Sequence, residues 1–197
     1  MAKHKPTALK FPLKAALRDK GTNAKVTANI RPMLESDLEK WAEWPYATED
    51  LDKTWRWNKI LKESKKTGGI ECYALFVDDA LHGLVSFDLQ GHLTDAGRGL
   101  IVDYLATNPR NRRGKRGVKD VGEVFLGLAV YRSRELGWEG RLWLESLSTA
   151  EAFYEHAGFA QLPSRSKDGY VTFVLGKAGA DRIWRDVIEA EILYVSG

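Results

Sequence analysis

The chain has 197 residues, 44% of them hydrophobic, and a formal net charge of +3. That is enough for one domain with a real core and an appendage. No apolar run is long enough to cross a membrane as a helix. The opening Met-Ala-Lys-His-Lys-Pro lacks the apolar stretch of a secretory signal, and one cysteine, Cys72, permits no internal disulfide. These features predict a cytoplasmic globular protein.

Charge is uneven. Residues 1–25 hold seven Lys or Arg against one acid, Asp19, while the rest of the chain is slightly acidic. They read as a basic N-terminal arm, either a solubilising leader or a contact for nucleic acid or an acidic partner. Leu9, Phe11, Leu13, Ala16 and Leu17 predict that part of the arm docks against an apolar surface.

Val26 to Ile30 alternates as a first strand, closed by Arg31-Pro32. Ser36 is a candidate N-cap for a helix through Trp44, and Pro45 interrupts. Leu51, Trp55, Ile60 and Leu61 predict a second helix from Glu49 to Lys65, stopped by Thr67-Gly68-Gly69. Trp41, Trp44, Trp55 and Trp57 crowd this region, as core filling or as walls of an acceptor pocket. Ile70–Val77 and Leu81–Leu89 read as a hairpin across Asp78-Asp79-Ala80. Cys72 beside this apolar run reads as a buried thiol. Gly91 to Gly99 reads as a turn region.

The centre of the chain is an apolar strand, Leu100 to Thr107, then a basic loop, Asn108 to Lys119, then a helix, Val121 to Leu136, stopped by Gly137. Such a loop and helix N-terminus can hold phosphate, through backbone N–H groups and through Arg and Lys. Asp120 is placed to cap the helix. A strand over Gly140–Ser146 follows, with a crossover that favours parallel pairing. Then come a short helix, Thr149 to His156, and a hairpin over 160–175 turning at Ser166-Lys167-Asp168-Gly169. Gly176 to Gly179 reads as a hinge. Asp181 to Tyr194 reads as an amphipathic helix that packs on the domain, mediates a homodimer or binds a partner. The expected divisions are 1–25 as the arm, 26–176 as the main domain and 177–197 as a C-terminal helical extension.

Within Ala150-Glu151-Ala152-Phe153-Tyr154-Glu155-His156-Ala157-Gly158-Phe159, Ala150, Phe153, Tyr154 and Ala157 share one helical face. Gly158 suits a left-handed C-terminal cap, with Phe159 packing back. His4, His82, His92 and His156 show no metal spacing, and no metal is expected.

Three stretches resemble the GNAT superfamily of N-acetyltransferases. Ile30-Arg31-Pro32 with Asp37-Leu38 is similar to its opening strand and helix. The loop resembles its Arg/Gln-x-x-Gly-x-Gly/Ala motif, with Val121-Gly122 matching the end, Asp120 at the middle glycine and Gly117 at the Arg/Gln. The Phe153-Tyr154 helix with Gly158-Phe159 resembles its second signature. The resemblance implies a mixed α/β fold with a splayed central sheet flanked by helices, and acetyl-CoA as acyl donor. It places pantetheine along Leu105, Ala106 and Thr107. It places the diphosphate at Arg112, Arg113, Gly114, Lys115, Arg116, Gly117, Val118, Lys119, Val121 and Gly122, with Asp120 turned away. An asparagine usual before the second helix is absent; Leu147 stands there, between Ser146 and Ser148.

The implied chemistry is direct transfer to an amine. Tyr154 protonates the departing thiolate, a phenol being a proton donor at neutral pH. A strand N–H from Leu105 to Thr107 polarises the carbonyl. Glu145 and Asp103 are the candidate bases; the alternatives are a loop-arginine partner for Glu145 and a solvent-facing Asp103. The acceptor is a small-molecule amine, a protein amine or aminoacyl-tRNA. Two further readings stand: a GNAT-type toxin acetylating charged tRNA, and a non-catalytic nucleic-acid-binding protein.

Overall fold

A computed structural model describes residues 9, 11, 13–95, 97–113, 116–166, 169–189 and 193–194. Strand β1 (Leu13–Asp19) and β2 (Lys25–Pro32) form a hairpin, followed by helix α1 (Asp37–Ala42), a 3-10 turn at Leu51–Thr54, and α2 (Trp57–Thr67). Strands β3 (Ile70–Val77), β4 (Ala80–Thr94) and β5 (Gly97–Thr107) make a meander. A helical turn α3 (Pro109–Arg112) and the short β6 (Val118–Lys119) lead into α4 (Val121–Glu135) and β7 (Leu142–Ser146). Helix α5 (Glu151–His156), β8 (Ala160–Arg165), β9 (Val171–Leu175), α6 (Lys177–Ile183) and β10 (Leu193–Tyr194) complete the order.

One mixed sheet runs β10-β1-β2-β3-β4-β5-β7-β9-β8, with β6 also paired to β1. Among the described residues every pair is antiparallel except β5–β7. Helix α4 lies on one face over the larger apolar core, where Val124, Phe125, Leu128 and Ala129 are fully buried. Close approach of α4 to the sheet needs Gly83, because a Cβ there would lie 2.5 Å from the Phe125 ring. The second core sits under α1 and α2, around Trp44, Trp57 and Leu61.

Several expectations change. Leu13–Asp19, read as part of a basic arm, is a sheet strand: Leu13, Ala15 and Leu17 are buried while Lys14 and Arg18 are exposed, and this alternation fits a half-buried strand. Ser36 makes no side-chain cap. The Asp37 carboxylate instead accepts from Leu34 N–H at 2.8 Å and pairs with Arg31 at 2.6 Å. The helix expected over 49–65 breaks at Trp55-Arg56, where the extended backbone of Trp55 and the non-helical backbone of Arg56 separate the 3-10 turn from α2. The Gly91–Gly99 turn region is mostly strand, because β4 runs to Thr94 and β5 starts at Gly97. The C-terminal helix is shifted: α6 starts at Lys177, inside the stretch read as a hinge, and passes into a π-helical segment, Trp184–Glu189, while Leu193–Tyr194, expected to be helical, form β10 and join β1. Val187 of that segment packs against Gly127 of α4, where a Cβ would lie 2.4 Å from Val187 Cγ1. Residues 177–189 thus pack on the domain.

Other expectations hold. Gly68 ends α2 with φ +62° and Gly137 follows α4 with φ +78°. Gly169 sits at φ +83° in the β8–β9 turn, where Ser166 N–H donates to Tyr170 O at 2.8 Å; Lys167 and Asp168 lie outside the described residues. Cys72 is buried, and burial pushes its thiol up to about 11.

Candidate active site

The site begins with two strands that part company. Strands β5 and β7 pair only at Leu100–Leu142 and Ile101–Trp143, then run on without pairing. One residue later β5 bulges: Phe87 pairs with Val102 and Ser86 with Tyr104, so Asp103 is the extra residue. A bulge bends and twists its strand, helping β5 diverge from β7. The divergence leaves a cavity of about 570 Å³, in the range of small-molecule sites. Its β5 wall is Val102, Asp103, Leu105 and Thr107, and its β7 wall is Glu145, Ser146 and Leu147. Val121, Gly122 and Glu123 of the first turn of α4 close one end, and Phe153 and Tyr154 of α5 line it too.

The loop before α4 is built locally. Asn108 caps α3 by accepting from Arg110 N–H at 3.0 Å, and Pro109 fills the first helical position. The basic loop is therefore partly helical. Asn111 Oδ1 accepts from Val118 N–H at 3.1 Å and lies 3.0 Å from His82 Nδ1, while its amide donates to His82 O at 3.0 Å. Gly117 takes φ +101°, and a Cβ there would lie 2.7 Å from Asn111 Oδ1. Asp120 takes φ +70°, the left-handed conformation in which Asp is among the few tolerated non-glycine residues. The residue thus adopts a backbone state that glycine, usual there in the family it resembles, would take freely. Asp120 stands at the N-cap position as expected, but its side chain makes no cap bond, and the residue lines the cavity.

Of the expected diphosphate residues, Arg112, Val118, Lys119, Val121 and Gly122 line this cavity. Leu105 and Thr107 do so as well, whereas Ala106 is fully buried in the second core. Arg113, Arg116 and Gly117 are not among the lining residues, and Gly114 and Lys115 lie outside the described residues. The arginines have protein partners. Arg112 forks onto Asp52, with Nη1 donating to Oδ1 at 2.9 Å and Nη2 to Oδ2, and donates to Thr107 O at 2.7 Å. Arg113 pairs with Asp50 at 2.5 Å. Asp50 and Asp52 are almost wholly buried, so the guanidiniums neutralise acids that would otherwise be costly there. Lys20 and Lys119 line the cavity too.

The three expected catalytic residues all meet the cavity. Tyr154 is buried against Phe153, Phe159 and Phe173 at ring distances of 5.1, 5.5 and 5.9 Å, and burial raises its pKa further above the ordinary phenol value. Gly158 at φ +90° ends α5, with Phe159 N–H donating to Tyr154 O at 3.0 Å, the Schellman closure expected. Gly122 lets α4 approach α5, since a Cβ there would lie 2.8 Å from Phe153 Cζ. Asp103 is pushed up to about 6, first by lost hydration and then by Asp88 and Glu145. It keeps much accessible surface, but in a concave wall a group loses hydration without being covered.

Glu123, Asn111, Glu49, Asp50 and Asp52 also line the cavity and were not singled out by the sequence, whereas Trp55 and Leu147 were. Glu123 lines the cavity, and although it keeps accessible surface, lost hydration in the concave wall raises its carboxyl above the usual range. Asn111 organises the loop. Glu49, Asp50 and Asp52 bring acid to the rim from a segment read as plain helix. Trp55 lines the cavity, while Trp44 and Trp57 are core residues. At the position of the missing asparagine, Leu147 lines the cavity, and Ser146 Oγ donates to Leu147 O at 2.9 Å.

No protein-family model matches the chain, and no curated protein matches it by sequence. Solved structures do. The chain is similar to a PaiA N-acetyltransferase from Thermoplasma acidophilum in complex with coenzyme A (TM-score 0.52, 16% identity, 76% of this chain and 98% of that one). It is similar to AtaTR bound with AcCoA (TM-score 0.55, 14% identity, 80% and 98%). It is also similar to the GNAT domain of S. lividans PAT (TM-score 0.56, 18% identity, 82% and 96%). A mixed sheet with one parallel, splaying strand pair, closed by a helix N-terminus and matched by these structures over most of their length, is the fold of the GNAT N-acetyltransferases.

Proposed function

We propose that the chain is an acyltransferase that moves the acetyl group of acetyl-CoA directly to an amine. The observation that carries this is the cavity in the β5–β7 gap, which joins the α4 N-terminus to Tyr154, Asp103 and Glu145. The gap fits the donor: β5 beyond Ile101 has no β7 partner, so strand amides are free for an amide-rich linker. The backbone of Val121 and Gly122 and the ammonium of Lys119 suit the diphosphate. Asp120 and Glu123 oppose it there. The thioester supplies an electrophilic carbonyl and a thiol leaving group.

The chain supplies the rest. Asp103, ionised above about pH 6, accepts a proton from the amine. Tyr154, protonated throughout the working range, donates one to the thiolate. A strand N–H from Leu105 to Thr107 polarises the carbonyl. The nucleic-acid reading loses support, because Arg112 and Arg113 are engaged by acids and residues 13–19 belong to the sheet.

The test is thermal and then chemical. Saturating CoA or acetyl-CoA is expected to raise Tm by several degrees, as ligand at 100 times Kd contributes about 2.7 kcal/mol. Labelled acetyl should then pass to an amine. No shift with either ligand, alongside salt-sensitive binding to RNA or DNA, would overturn the proposal.

A further inference from the structure

A second cavity, of about 310 Å³, lies beside the first. Four aromatic side chains line it, Trp55, Tyr104, Trp143 and Tyr170, with the carboxylates of Asp103 and Glu145. The two cavities share both carboxylates as well as Trp55, Val102 and Leu147. The acids therefore stand at the junction between the gap assigned to the donor and an aromatic chamber. No Lys, Arg or His is among the described lining residues. The aromatic walls are braced: Trp55 meets Tyr104 edge-on at 5.1 Å, and Trp143 stacks on His92 at 4.7 Å.

We infer that this chamber selects the acceptor, and that the acceptor is a primary alkylammonium on a slender aliphatic stem with no anionic group beside the nitrogen. The inference rests on the acyltransferase reading. The chemistry follows from the walls. Aromatic faces attract a cation and accept a methylene stem, while a neighbouring carboxylate or phosphate on the acceptor would meet Asp103 and Glu145 with like charge. This disfavours aminoacyl-tRNA, whose amine is tied to a polyanion. A free alkyl diamine and a lysine side chain both carry the required group.

The step balances. The ammonium gives its first proton to Asp103, and the neutral nitrogen attacks the thioester carbon. The C–N bond forms and the C–S bond breaks. Tyr154 protonates the thiolate, and the second nitrogen proton restores the tyrosine. One proton leaves to solvent per transfer, with amide and free thiol as products.

The experiment compares kcat/KM, at fixed acetyl-CoA, for 1,5-diaminopentane, a lysine-containing peptide blocked at its N-terminus, glutamate and an aminoacyl-tRNA. At least about a tenfold preference for one of the first two is expected. The better of the pair identifies the source as small molecule or polypeptide. Glu145→Gln should raise the amine KM by about tenfold, a larger change than its effect on kcat, with CoA Kd unmoved. Binding of 1,5-diaminopentane, read by tryptophan fluorescence, should weaken in parallel. Equal or better use of glutamate or aminoacyl-tRNA would overturn the inference while leaving the donor site standing. Failure of acetyl-CoA to bind at all would overturn both.

Discussion

Tyr154→Phe separates a chemical role for the tyrosine from a structural one. The ring is clamped by Phe153, Phe159 and Phe173, all within 6 Å between centroids, and Phe keeps those contacts. Only the hydroxyl is lost, from a residue 7% exposed, and a buried hydroxyl contributes about 1 kcal/mol net in either direction. For a chain of this size that moves Tm by no more than about 2–4 °C. The proton step is different: losing a positioned general acid costs about 10²–10⁴ in rate. The expected result is a fall in turnover of at least a hundredfold, with Tm and CoA Kd nearly constant. Stopped-flow or coupled thiol release gives the rate, calorimetry the Kd and a thermal melt the stability. Turnover unchanged at preserved Tm would refute Tyr154 as the acid. A collapse of Tm would show that the ring contacts are not retained.

Asp103 predicts two pH effects of known sign. Its folded pKa, raised to about 6 from 3.8, means that the folded state holds a proton the unfolded chain has lost between those values. This contribution to stability is present at low pH and is lost as pH rises through 6, so Asp103→Asn should raise Tm at pH 7 relative to wild type and not at pH 3.5. In wild type kcat/KM should fall below about pH 6; the same acid limb surviving in Asp103→Asn would assign the base elsewhere. Asp120→Gly relieves a left-handed residue, worth about 1–2 kcal/mol against a glycine entropy cost of about 0.5–1. It also removes an acid from the cavity wall, so Tm should hold or rise and CoA affinity should increase; weaker CoA binding by calorimetry would show the carboxylate to be needed. Arg112→Lys loses the fork onto Asp52, which should cost about 1–3 kcal/mol in a melt and change CoA Kd less than threefold. A tenfold loss of CoA affinity would place the guanidinium on phosphate.

What the sequence made legible was local. The α5 segment encodes its own face, cap and aromatic return within ten residues, and Tyr154 falls where that pattern puts it. The strand–loop–helix run over 100–136 and the turns at Gly68, Gly137 and Gly169 are equally local. The misplaced features depend on partners far along the chain. Nothing near Arg112 reveals that Asp52, sixty residues earlier, takes its charge. The Asp103 bulge is a mismatch between two strands and leaves no mark in either one. Residues 13–19 carried the alternation of a strand, but their lysines and arginines outweighed it in a reading based on charge. The aromatic chamber is assembled from Trp55, Tyr104, Trp143 and Tyr170 on four separate segments, so only Trp55, in a visible cluster, drew notice.

Hydrogen–deuterium exchange over residues 102–107, with and without CoA, tests the claim that the β5–β7 gap receives the acyl donor. The amides of β5 that face the gap lack a strand partner and should exchange readily in the free protein, then become protected when CoA binds, together with those of Val121 and Gly122. Bound CoA with no new protection along β5 would contradict the account, because the ligand would then lie outside the gap.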